Sequence, residues 1–321
     1  MERFLDRFST YFEAIESELG RSLENSPSLG EEIAGYALLG QGKRLRPLLF
    51  VLSSKLCGLQ GEGLYRLSTI FELIHTASLL HDDVLDHAEI RRKKPSVPQV
   101  YGNSAAILGG DYLYSLATTI AIEFENLEVI RMLSESMKQM VGGQLLELAH
   151  THDWEITEER YLEIITAKTA VLIASACACG ALMAADKNAV EPLTQFGLKL
   201  GIAFQLMDDV LDYTSSEEEF GKPVGKDLRE GKITLPLIHC LSAQSKPEVH
   251  ELRDLFVNRQ AQAEDYRRVI TMVKQGGFIE RIRKKAEGYV KSSAGLLDVF
   301  PDGEVKDHLV GLAQFIVTRR H

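Results

Sequence analysis

The sequence predicts an all-α protein, and three observations carry that expectation. Apolar residues recur at three- and four-residue spacing along nearly the whole chain, the period of one helix face. Extended alternating runs of β-branched residues are missing, and no Asn-Gly or Asp-Gly pair joins two such runs. Phe4, Phe8, Tyr11, Phe12 and Ile15 make the first apolar stripe, and Leu64, Leu67, Phe71, Ile74 and Ala77 make another. Breaks fall near Ser26-Pro27, Leu39-Gly42, Cys57-Gly63, Arg92-Gly102, Gly221-Lys232, Ser245-Pro247 and Pro301-Gly303, giving about ten helices. None of these breaks is a long Pro- or Ser-rich linker, and no solenoid-length repeat is present. One compact helical domain over residues 1–321 is the expectation.

With 45% hydrophobic and 26% charged residues, the chain holds ample material for a core. A net charge of −10 argues against a general nucleic-acid binder, which needs a basic face. Cys57, Cys177, Cys179 and Cys240 are few and lack histidines at metal-ligand spacing, so all four read as reduced core residues. The first segment, MERFLDRFSTYFEAIESELG, mixes acids and bases and has no apolar signal core, which favours a cytoplasmic protein. The longest uncharged stretch, Thr169 to Ala185, is shorter than the roughly 20 residues of a membrane span. Its Ala, Ser, Cys and Gly content suits a buried, closely packed helix, and no transmembrane segment is expected.

Two DDVLD segments stand out. Asp82, Asp83 and Asp86 follow an apolar-periodic helix, and Asp208, Asp209 and Asp212 repeat the pattern where a second apolar run ends. On a helix the first and last aspartates of each set share a face, while the middle one lies to the side. Like charges at that spacing repel, and a helix C-terminus adds negative potential, so the clusters call for cations. A solvated acidic helix end explains one such cluster; two copies, each preceded by apolar residues, fit a pair of hard-oxygen clamps for Mg²⁺ and phosphate oxygens better.

Cations accompany them. Lys43, Arg44 and Arg46 stand at a helix start, which favours anions, although a solvated basic helix start reads the same way. His75 precedes the first aspartates and is either an anion donor or a satisfied core residue. Arg91 to Lys94 are four consecutive basic residues after the first cluster, and Lys222, Lys226 and Lys232 lie among glycines after the second.

These motifs resemble those of the trans-type polyprenyl diphosphate synthases from about Gly42 to Pro236. The resemblance rests on GKRLRP, on ELIHTASLLHDDVLDHAEIRRKKPSV, on GGDYL at Gly109 to Leu113, on AKTA around Lys168 and on FQLMDDVLDYTSSEEEFGKPVGKDLREGKITLP. It implies an all-α bundle around a deep cavity, a homodimer, and two aspartate motifs facing each other at the cavity mouth. By the same resemblance Asp82, Asp86 and Asp208, supported by Asp212, ligate three Mg²⁺ ions, with Mn²⁺ as a substitute. Asp83, Asp209 and Lys168 complete the catalytic set. Arg91, Lys168, Lys222 and Lys232 grip an allylic diphosphate, farnesyl diphosphate or shorter; Lys226 competes with its neighbours for the familial lysine position. Lys43, Arg46, His75 and Arg92 hold isopentenyl diphosphate without metal. Thr169 and Gln205 steady the allylic cation, unless they serve helix packing alone.

Product length follows from the residues upstream of Asp82, because the growing tail runs along that helix at about 1.5 Å per residue. Ala77 and Ser78 are small where short-chain members of the family place bulk, so a long product is expected, about C30 to C50, with octaprenyl as the single choice. Leu73, Ile74, Phe124 and Met137 are candidate floors. Geranylgeranyl or farnesyl diphosphate synthesis, a terpene cyclase and a non-catalytic synthase subunit are the rival readings. The cyclase has no use for GKRLRP, and such a subunit tends to lose the aspartates that this chain keeps.

Overall fold

A computed structural model of the chain describes residues 2–24, 26–39, 42–214, 225–258 and 260–318. The helices of eight or more residues are α1 (Ser9–Leu23), α2 (Ser28–Leu38), α3 (Leu45–Leu56), α4 (Gly63–Leu85), α5 (Asn103–Glu123), α6 (Leu127–Ala149) and α7 (Glu158–Ile165). They continue as α8 (Val171–Met183), α9 (Lys187–Thr214), α10 (Leu235–Ser242), α11 (Lys246–Val257), α12 (Ala263–Gln275), α13 (Phe278–Gly295) and α14 (Glu304–Thr318). The all-α expectation holds.

Among the described residues, fourteen such helices replace the expected ten or so. The additional breaks carry little Gly or Pro. Glu125, His152 and Ala185 adopt left-handed φ of 51°, 60° and 55°, and short polar side chains then cap the next helix. Asn126 Oδ1 accepts from the backbone N of Glu128 at 3.1 Å. Asp186 Oδ1 does the same for Asn188 at 3.1 Å. One further break is the Gly276-Gly277 pair, where Gly277 has φ 73°. A minimal antiparallel ribbon, β1 (Ile90–Arg91) and β2 (Lys94–Pro95), also went unforeseen, because Arg92 and Lys93, not Asn-Gly, make its turn at φ 52° and 64°.

The chain divides into two compact units. The first comprises Met1–Met137, Leu172–Gly197 and Leu297–Leu309. Its spine is α4, which buries Leu67, Ile70, Phe71, Leu73, Ile74 and Ala77 against α3 and α5; Phe50 and Phe71 meet with ring centroids 5.4 Å apart. Within this core Arg44 is buried in a left-handed conformation, φ 44°, and donates to Glu72 at 2.7 Å and to Glu16 at 2.6 Å. Arg44 therefore ties α1, α3 and α4 together. α8 is buried as expected of its small residues, with Cys177 and Cys179 inside and burial pushing the Cys177 thiol up to about 12. All four cysteines are free; Cys240 is buried too, but Cys57 is only part-buried, a correction to its reading as a core residue.

The second unit comprises Lys138–Val171, Leu198–Leu296 and Val310–His321. Trp154, Phe256 and Tyr266 form its aromatic cluster, with centroids 5.0 and 4.9 Å apart along the series. Between α7 and α8 lies one π-helical turn, Thr166–Ala170, which carries Lys168 and Thr169. Such turns insert one residue into a helix and re-aim its side chains. α9 passes this turn closely at Gly201, where a Cβ would lie 2.5 Å from Ala170 Cα. By length and composition two helical stretches could cross a membrane: Asn103–Glu123, 39% buried, and Glu158–Met183, 72% buried.

Candidate active site

The first aspartate cluster sits at the end of α4. Asp83 is buried and Asp82 and Asp86 are part-exposed, as the helical spacing anticipates. Asp83 accepts from Arg91 Nε at 2.8 Å and also from Arg91 Nη2. The middle aspartate thus anchors the basic ribbon, leaving the outer two on the accessible side. His81, beside them, fits only because residue 110 is glycine: a Cβ there would lie 2.3 Å from its Nε2. This accounts physically for the GGD of α5.

The charges of four arginines act on His75. Burial holds its pKa well below the usual imidazole value, and Arg46, Arg92, Arg91 and Arg44 push it down further. A neutral imidazole keeps one N–H donor and one acceptor, so His75 can donate to an anion without adding charge. Lys43 is exposed just ahead of α3. The sequence-identified cations Arg46, Arg91 and Arg92 are therefore electrostatic neighbours around His75, while Arg44 is committed to Glu16 and Glu72.

In the second unit α9 carries Asp208, Asp209 and Asp212. Asp209 is buried and accepts from the Tyr161 hydroxyl and from Gln205 Nε2 at 2.8 Å. Gln205 in turn accepts from Thr169 Oγ1 at 2.9 Å. Burial raises the Asp209 carboxyl to about 7 despite those donors, and Asp208 and Asp212 add to the rise. Asp212 is raised to about 6, again mainly by burial, although it accepts the backbone N–H groups of Lys226 at 3.1 Å and Asp227 at 3.2 Å. Asp227 is raised well above the ordinary range by burial and then by Asp212 and Asp209.

Lys168 Nζ lies 2.6 Å from Glu147, and Lys226 and Lys232 each pair with Glu230 at 2.8 Å. Lys222 lies outside the described residues. Tyr161, Asp227, Glu147 and Glu230 escaped the sequence reading. A lone tyrosine on an amphipathic helix and single acids inside basic loops carry no motif; the only available signal was an acid amid the lysines of GKDLREGK.

Because the folded-state value of Asp209 lies above that of a free carboxyl, the unfolded chain holds fewer protons here between about pH 4 and 7. Its stabilising contribution is present in acid and lost as pH rises through about 7. In metal-free protein the melting temperature of wild type relative to Asp209→Asn should therefore fall from about pH 5 to pH 8. Calorimetry at a series of pH values measures it, and a difference that stays level or rises contradicts the assignment.

The donor set suits a hard cation. Both clusters offer carboxylate oxygens only, and divalent charge relieves the mutual repulsion that burial intensifies. No group of three or more His, Cys, Asp or Glu forms a ready metal cage among the described residues. Mg²⁺ is commonly held by one or two carboxylates together with substrate phosphates, a donor set that each cluster offers by itself.

Known proteins resemble the chain along most of its length. The polyprenyl synthetase family model matches residues 27–273. Octaprenyl diphosphate synthase of Escherichia coli (strain K12) is 34% identical over 306 residues, 95% of this chain and 94% of that one. A prenyl transferase of Synechocystis sp. is 37% identical over 285 residues, 87% and 86% of the two chains. Further relatives at 31% identity are named for nonaprenyl, heptaprenyl and short-chain isoprenyl diphosphate synthesis. Among solved structures, a polyprenyl synthase of Caulobacter crescentus CB15 complexed with calcium and isoprenyl diphosphate superposes with a TM-score of 0.94 at 33% identity, covering 100% of this chain and 98% of that one. With its two aspartate clusters and their basic partners on an all-α frame, the chain belongs to the polyprenyl synthetase family of prenyltransferases.

Proposed function

We propose that the protein condenses isopentenyl diphosphate with an allylic diphosphate, head to tail and in trans, to make a long-chain polyprenyl diphosphate, with octaprenyl diphosphate as the product. The observation that carries this reading is His75, on α4 two turns before Asp82, held neutral by burial and by the charges of Arg46, Arg91 and Arg92. Such a cluster suits a diphosphate held without metal, which an elongating enzyme needs for its second substrate. Among the relatives, the octaprenyl synthase at 34% identity supports the product length.

In this reading Lys43, Arg46, His75 and Arg92 bind isopentenyl diphosphate. Arg91, Lys168, Lys222 and Lys232 bind the allylic diphosphate, Lys168 exchanging Glu147 for phosphate oxygens. Asp82 and Asp86 in one cluster, and Asp208 and Asp212 in the other, would hold Mg²⁺, which would supply Lewis acidity toward the departing diphosphate. The lysines and Arg91 stabilise charge that grows on that group as the allylic C–O bond breaks. Thr169 and Gln205, linked to each other and to Asp209, present oxygen dipoles to the allylic cation. The terminal alkene carbon of isopentenyl diphosphate then bonds to the allylic carbon, leaving a cation on its C3, and C2 loses a proton to the released diphosphate as the C2=C3 double bond forms. No protein nucleophile is required.

The whole chain, residues 1–321, acts as one synthetase domain in the cytoplasm, and a second copy covers the apolar faces of α5 and α6. Ile107, Leu108 and Ile122 are exposed on α5, and Val141, Leu145 and Leu148 on α6, apolar side chains that such a copy would remove from water. Incubation with isopentenyl diphosphate, farnesyl diphosphate and Mg²⁺, then separation of the dephosphorylated products, tests the activity. A ladder ending at C40 is expected, products no longer than C20 would move the enzyme to the short-chain class, and no elongation with any divalent metal would refute the reading.

A further inference from the structure

The ribbon that carries Arg91 and Arg92 is too short to hold its own shape. It has two residues per strand, pairing Ile90 with Pro95 and Arg91 with Lys94, and isolated ribbons of far greater length are marginal. Its turn is made by two non-glycine residues in left-handed conformations, Arg92 and Lys93, which is strained. Four consecutive positive side chains add mutual repulsion; burial and Arg92 together lower the Lys94 pKa. Something outside the ribbon must fix it.

Two anchors are visible on the strands. On one strand Arg91 is bound to Asp83, at the end of α4. On the other, the contact is with Tyr36 of α2. The Tyr36 hydroxyl donates to the Pro95 carbonyl at 2.8 Å, and Lys94 Nζ donates to the Tyr36 carbonyl while lying 4.0 Å from the centroid of its ring. Tyr36 is itself held edge-on by Tyr101, centroids 5.7 Å apart, whose hydroxyl donates to Glu32 of α2 at 3.1 Å. Below the ribbon, the Ser96 hydroxyl donates to the Ala88 carbonyl and closes its base.

We propose that Tyr36 and Lys94 form a clamp that sets the turn bearing Arg92, and so act as positioning residues for capture of isopentenyl diphosphate. The inference rests on the reading of Arg92 given above. Arg91 keeps its own anchor on Asp83 when the clamp is lost. Arg92 sits in the turn, where freedom released at Lys94 and Pro95 is felt first. The clamp should therefore govern one substrate and spare the other.

Steady-state kinetics of the Mg²⁺-loaded enzyme, with each diphosphate varied separately, tests this. Lys94→Met should raise KM for isopentenyl diphosphate about tenfold, with kcat and the allylic KM within about twofold of wild type, a loss confined to binding. Tyr36→Phe, which removes only the hydroxyl, should raise the same KM about threefold, and Lys94→Arg, which keeps a donor and a cation over the ring, should restore most of it. Adding Lys94→Met to Arg92→Gln should change little further, since the clamp acts through Arg92. If Arg92→Gln raises the isopentenyl diphosphate KM but Lys94→Met and Tyr36→Phe leave it unaltered, or raise both KM values alike, the clamp is overturned and the reading of Arg92 stands. If Arg92→Gln itself has no effect on that KM, the reading fails and takes the clamp with it.

Discussion

Asp82→Ala is expected to lower kcat by roughly 10³-fold, corresponding to about 4 kcal/mol of lost transition-state stabilisation, while the fold survives. Asp82 is part-exposed at the end of α4, so its removal opens no cavity in the core. It also relieves negative charge at a helix C-terminus, which costs no stability. The loss falls on the charge that develops on the departing diphosphate. Asp83→Ala offers the contrast. That carboxylate is buried and holds Arg91, so its loss should lower the melting temperature as well as weaken substrate binding. Rates at saturating substrates, read with thermal unfolding of both variants, separate the roles. Turnover of Asp82→Ala within about tenfold of wild type would remove Asp82 from the metal ligands.

Ala77→Tyr should shorten the product, from the C30–C50 range to about C20 or less, because position 77 lies about 7 Å along the helix from Asp82. Ala77 is fully enclosed on α4, and Ser78 turns its hydroxyl back onto the His75 carbonyl at 2.8 Å. Adding an aromatic ring in a closed space also costs about 1–3 kcal/mol through overpacking, so a lower melting temperature should accompany the change. Chromatography of the dephosphorylated products decides the question. A folded, active Ala77→Tyr enzyme with the wild-type ladder would rule Ala77 out as a determinant of length. Leu73 and Ile74, buried lower on the same helix, would then be the next positions to vary.

Much of the local structure was legible because periodicity reports burial directly. The stripe from Leu64 to Ala77 became the buried face of α4, and the small-residue run ending at Ala185 became a buried helix. The DDVLD spacing also anticipated which aspartate turns inward at the first cluster. Helix ends made by single left-handed residues such as Glu125 and Ala185 were not legible, since that conformation is disfavoured for their side chains and is held there by the packed structure and the Asn or Asp that caps the next helix. Arg44 shows the same limit at the site. Within GKRLRP it reads as one of three equivalent cations, yet Glu16 and Glu72, distant in sequence, make it part of the core.

By itself the sequence determined the helical class, the two carboxylate clusters and the basic segments that follow them, because helix period and charge spacing are local properties of the chain. Only the tertiary structure decided which charges are committed and which remain available to a ligand. Asp83 is given to Arg91, Asp209 to Tyr161 and Gln205, and Arg44 to two glutamates. Tyr161 and Asp209 meet across 48 residues, and Arg44 reaches Glu16 and Glu72 across 28 each way; the strength of all these bonds depends on shared burial, and burial is a property of the packed molecule.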